Sequence, residues 1–166
     1  MAFSNTSKSG TGSFYHLVSD SDGYLRINAK GWTPAVQADE TVDDSDKTFT
    51  VPASTEWEIL SIWVELTSTA TVGNRQLCIA IRDDSDDVIL QVRAGAVQAA
   101  SLTRYYTFAP GVTELTAFRD TDYLSTAFPA GLVLPAGYDV RIYDKTAVDA
   151  AADDMVVQVM VKARTV

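Results

Sequence analysis

The sequence predicts an all-β domain, an antiparallel jelly roll or β-sandwich preceded by a flexible N-terminal arm. Three observations carry this expectation. Many segments alternate apolar and polar residues with a period of two, the strand signature, because successive side chains on a strand point to opposite faces. About eight to ten such segments lie between clusters of Gly, Pro, Asp and Ser, at intervals typical of a sandwich. No long segment has helical periodicity, and the only helix candidates are one or two turns near residues 94–100 and 147–152. Pairing is therefore expected to be antiparallel, since parallel strands need long crossovers, usually helical. A sandwich of this size usually closes as a Greek-key jelly roll.

Taken in order, residues 1–12 are mostly Ser, Thr, Asn, Gly and Lys, with Phe3 the one aromatic. Such a segment buries too little apolar surface to offset its ordering entropy, so it reads as an arm, with Phe3 its candidate anchor on a neighbour. Short strands are expected at residues 14–18 and 24–29, separated by the turn residues Ser19-Asp20-Ser21-Asp22-Gly23. Residues 30–46 contain Trp32, Pro34 and an acidic run, and they read as a loop. Residues 1–46 are thus set apart from a sandwich domain at 47–166.

From Lys47 the alternation becomes regular. A short strand at 48–51 stops at Pro52. The longest strand is expected at 56–67, with Leu60, Ile62, Val64 and Leu66 on the core face. Trp57, Ile59, Ser61, Trp63 and Glu65 fall on the other face. Two tryptophans are much apolar area for a solvated surface, so Trp57 and Trp63 are candidate interface residues. Further strands are read at 75–82, 88–94, 104–108, 138–143 and 155–162, with weaker ones at 115–118 and 123–128. Asp83-Asp84-Ser85-Asp86-Asp87 makes a turn, and two Pro-Ala-Gly units, at 129–131 and 135–137, make two more.

Length and composition bound the function. The 166 residues suit one core, and 46% hydrophobic residues is too many for a disordered chain. The net charge of −9 repels phosphate backbones and anionic lipid heads, so neither nucleic acid nor a membrane surface is an expected partner. Cys78 is the only cysteine; it allows no intrachain disulfide and reads as a half-buried filler. The N-terminus has no apolar signal region, and no apolar stretch reaches membrane-spanning length. The chain is therefore expected to be made and kept in a reducing cytosol.

Catalytic chemistry finds few carriers. His16 is the only histidine, and no Gly-x-Ser-x-Gly elbow accompanies it. One histidine and one cysteine do not make a usual zinc site. Of the acidic runs at 39–46 and 83–87, which could in principle hold calcium, the second is too short, lacks the glycine and distal glutamate of a calcium loop and reads as a solvated turn. Nothing selects a pair of carboxylates for glycoside hydrolysis. Phosphate-cradling glycine loops are absent. Tyr105, Tyr106 and Phe108 beside Arg104 suit either a core strand or a stacking platform. The expectation is a protein without catalytic residues, cofactor or metal.

Residues 47–166 resemble bacteriophage virion proteins of jelly-roll type, in particular capsid decoration (cement) proteins. The phrases that carry the resemblance are Thr67-Ser-Thr-Ala-Thr-Val-Gly-Asn-Arg-Gln-Leu77, Leu134-Pro-Ala-Gly-Tyr-Asp-Val-Arg-Ile-Tyr-Asp144 and Asp153-Asp-Met-Val-Val-Gln-Val159. The resemblance implies a homotrimer seated on the outer capsid surface, bound to the major capsid protein, so that the protein is located in the virion. It implies no catalytic residues. A receptor-binding or carbohydrate-binding module, such as a fibre tip, is the alternative on the same fold, with Trp32 and Tyr105 as its candidate aromatics. A jelly-roll enzyme of cupin or lyase type ranks last, because a cupin needs a histidine cluster.

Overall fold

A computed structural model describes residues 31–166 in full and, of residues 1–30, the backbone of four short strands. The chain divides into two compact units, residues 1–31 and 32–166. In the first, β1 (Thr6–Lys8) pairs antiparallel with β2 (Phe14–His16), and β3 (Val18–Ser19) with β4 (Leu25–Arg26). The arm expected at 1–12 thus contains β1; the rest of it, Phe3 included, lies outside the described residues.

The second unit is built from β5 (Thr33–Asp39), β6 (Asp46–Thr50), β7 (Thr55–Thr67), β8 (Leu77–Arg82), β9 (Val88–Arg93), β10 (Thr103–Ala109), β11 (Tyr123–Ala127), β12 (Val133–Leu134), β13 (Asp139–Asp144) and β14 (Asp154–Thr165). A six-stranded sheet runs β11-β10-β7-β14-β5, with β12 paired to the start of β7. A four-stranded sheet runs β6-β13-β8-β9. Setting β11 and β12 aside as insertions, the two sheets run β5-β14-β7-β10 and β6-β13-β8-β9, the double Greek-key order of a jelly roll. Among the described residues there is no helix; 94–100 and 147–152 are turns and irregular chain.

The core lies between the sheets. Ile62, Val64 and Leu66 of β7 and Met155, Val157, Val159 and Val161 of β14 are shut off from solvent. Leu77, Ile79 and Ile81 of β8 and Val140 and Ile142 of β13 close on them from the other sheet. Each such side chain contributes roughly 1.5–3 kcal/mol by leaving water.

Three expectations need correction. Residues 33–39 are not loop. They form edge strand β5, paired along β14 from Thr33↔Ala163 to Asp39↔Val157. Proline is tolerated on an edge strand, and the compact unit accordingly begins at Trp32 rather than at residue 47. Nor is pairing antiparallel throughout. β10 and β11 run parallel, Tyr105↔Tyr123 through Ala109↔Ala127. Their crossover, residues 110–122, is an irregular loop pinned by Phe118, whose ring meets Tyr106 edge-on at 5.6 Å.

The third correction concerns the phase of β7. Met160 faces Ser61 and the next residue, Val161, faces Ile59, so Leu60 is an extra residue in the ladder, a β-bulge. The bulge flips the alternation. Trp57 and Ile59 therefore join Ile62, Val64 and Leu66 in the core, and Trp57 is only 3% exposed. Leu60 is half-buried instead of a core residue. Trp57 is thus no interface residue.

Candidate interaction face on the six-stranded sheet

The two sheets present unlike outer faces. The four-stranded sheet is closed by ionic and polar contacts. Arg82 donates to both oxygens of Asp139, at 2.8 and 2.7 Å. Arg141 pairs with Asp46 and lies over the Tyr143 ring at 4.5 Å. Gln91 donates to the Tyr143 hydroxyl at 2.6 Å. Beneath this layer Cys78 is fully buried, not half-buried as expected, and burial pushes its thiol pKa up.

The six-stranded sheet is different. Trp63, Tyr105 and Tyr123, on three adjacent strands, stack in a ladder. Ring centroids are 6.1 Å apart between Trp63 and Tyr105 and 5.0 Å between Tyr105 and Tyr123, with planes inclined 23° in both pairs. Tyr123, at the end, is 56% exposed. The register continues the surface across the sheet: Ser61 faces Met160, which faces Val36, and both apolar residues are exposed. Charged pairs flank one end of this face, Lys162 with Glu58 at 3.2 Å and Arg164 with Glu56 at 2.7 Å. The Arg164 guanidinium also lies 4.6 Å from the centre of the half-buried Trp32 ring.

The candidate residues thus divide. Trp63 and Tyr105 come together on the outer face, Trp32 sits under Arg164, Trp57 is in the core, and Phe3 lies outside the described residues. Tyr106 and Phe108 point to the core side of β10, so no stacking platform forms from Tyr105, Tyr106 and Phe108 together. Tyr123, Met160 and Val36 were not singled out by the sequence. Strands were expected at the positions of Tyr123 and Met160 but not at Val36, and the adjacency of all three depends on strand order.

The acidic runs are engaged within the fold. Lys47 is buried, and its ammonium meets Asp43, Asp44 and Asp39 and the Thr41 carbonyl. Burial alone would lower its pKa; the Asp43 hydrogen bond and the neighbouring carboxylates outweigh that and hold it above the ordinary lysine value. Asp83 accepts the Ser85 and Asp87 backbone N–H groups, at 2.9 and 3.0 Å, and so shapes its own turn. Among the described residues, no group of three or more His, Cys, Asp or Glu is placed to hold a metal ion. The side chain of His16 lies outside the described residues.

Strand order and outer face together define a jelly-roll sandwich protein with an aromatic surface on one sheet. No protein-family model matches the chain, and no curated protein matches it in sequence. Among solved structures, the chain is similar to a chain in the structure of infectious bursal disease virus strain Gx. The TM-score is 0.33 and the identity 11%, over 99% of this chain and 42% of that one. It is also similar to the VP2 subviral particle of that virus (TM-score 0.29, 16% identity, 78% of this chain and 32% of that one). A third similarity is to its T13 viral particle (TM-score 0.30, 10% identity, 91% and 44%). The chain spans less than half the length of each of these.

Proposed function

We propose that this chain is a virion structural protein without catalytic activity, and more narrowly a decoration protein that binds the outer surface of a phage capsid. The observation that carries the reading is the aromatic and aliphatic outer face of the six-stranded sheet. Exposed apolar surface of this kind marks protein contact sites, and among the described residues the outer face of the opposite sheet carries ionic and polar contacts, with exposed apolar residues at its β9 edge. The resemblance of residues 47–166 to decoration proteins supports the narrower form. The partner is then the major capsid protein, with three copies arranged around a symmetry axis of the shell. Linked contacts add by effective concentration, so three weak faces hold where one would not.

The carbohydrate-binding alternative is less well supported by this face. Sugar stacking needs a free ring face, and the candidate Tyr105 is stacked on both sides, by Trp63 and by Tyr123. Co-sedimentation with expanded, emptied phage heads, run beside a glycan array, tests the choice. Saturable binding to heads with a silent array is expected. Specific glycan hits without head binding would overturn the proposal.

A further inference from the structure

Apart from the two-residue β12, which pairs only with β7, the two sheets end in four edge strands, and an open edge is a row of unpaired N–H and C=O groups that another strand can join. Three of the four are blunted. β11 is covered by the preceding loop: Leu115 N–H donates to the Ser125 carbonyl at 3.0 Å, and the Glu114 carboxylate accepts the Ala127 N–H at 3.1 Å. β5 carries Pro34, which has no N–H to offer. β6 is short and turns Asp46, Thr48 and Thr50 to solvent.

Among the described residues, β9 has none of these protections along its length. It ends the four-stranded sheet, and Val88 and Ile89 are 56% and 54% exposed. A one-residue bulge at Ile89 sits close to its acidic end. Its two ends carry opposite charge: Asp86 and Asp87 precede it, and Arg93 closes it. A strand that runs from acidic through apolar to basic is complementary to itself when antiparallel. That is the arrangement of a twofold, self-matching interface.

We propose that the β9 edge pairs with β9 of a second copy of this chain, antiparallel about a twofold axis at Gln91, so that two four-stranded sheets become one. In this register Leu90 faces Val92 of the second copy. Arg93 faces Ile89 of the second copy, two residues from its Asp87. The contact is separate from the six-stranded face and joins chains in twos whether or not that face meets a capsid.

Gln91→Cys tests it. Facing residues in an antiparallel pair have Cα atoms about 4.5–5.5 Å apart, within disulfide range. The native Cys78 is buried and does not compete. Under mild oxidation the variant is expected to form a covalent dimer at least roughly tenfold faster than Val72→Cys, whose position is more exposed but remote. Adding Ile89→Lys is expected to remove the advantage. Equal rates for Gln91→Cys and Val72→Cys, or a rate indifferent to Ile89→Lys, would overturn the pairing. Neither outcome bears on capsid binding, which is read separately by sedimentation.

Discussion

Arg75 and Asp153 form an ion pair wholly removed from solvent, and the pair is stable because every polar atom around it is engaged. Arg75 Nε and Nη2 donate to the two carboxylate oxygens at 2.7 and 2.9 Å. Arg75 Nη1 donates to the Thr71 and Gly73 carbonyls, and Asp153 also accepts the Thr69 N–H at 2.7 Å. Removing one partner strands a buried charge. Asp153→Ala is therefore expected to cost about 3–5 kcal/mol in denaturant unfolding, where a solvated pair would cost under about 1. The pair also sets an acid limit. Burial would raise the Asp153 pKa, but the Arg75 hydrogen bonds and the Thr69 N–H outweigh it and hold it below the ordinary value of 3.8. The Thr69 and Thr71 hydroxyls hold Asp149 low as well. A folded-state value below the unfolded one gives stability that is present above the unfolded value and lost as pH falls through the folded value. Tm should hold steady from neutral pH to about 4 and drop below that; a Tm unchanged down to about pH 2 would count against the pair. The sequence alternation starts a strand at Arg75 and gives no sign that its side chain is buried. A lone arginine among Ser and Thr has the local pattern of a solvated residue, and its partner lies 78 residues away.

At the scale of elements, one residue decides what β7 does. Leu60 is apolar, so the alternation around it reads equally well in either phase, and a bulge there leaves no trace in the periodicity. Backbone pairing with β14 shows the slip, and with it the two tryptophans separate in role. Trp57→Ala should destabilise the fold by about 3–5 kcal/mol, because it empties core volume. Trp63→Ala should cost about 1 kcal/mol, the value of a stacked pair on a surface. Equal losses in urea unfolding would contradict the bulge. β5 escaped the sequence reading for a related reason: Pro34 argues against a strand unless the strand is known to be an edge. The parallel β10–β11 pair escaped because its crossover carries no helical pattern. β8, β13 and β14 were legible, because each buries alternate residues against the opposite sheet without interruption.

For the whole molecule, the alternation and the turn spacing were enough to predict a jelly roll, and the strand order bears that out. What they could not supply was the difference between the two outer faces. Arg82, Asp139, Arg141 and Asp46 cancel one another on one sheet, while Trp63, Tyr105, Tyr123, Met160 and Val36 leave the other greasy. Those sets come from strands far apart in sequence, so no local window contains them. The face is the centre of the functional account, and it is separable from folding because its residues lie outside the core. Binding of a Trp63→Ser/Tyr123→Ser double variant to expanded phage heads, measured by sedimentation beside the unaltered chain, tests it most directly. Affinity is expected to fall by roughly a hundredfold, the scale of two interface anchors, while Tm changes little. Undiminished binding by a folded double variant would contradict the account.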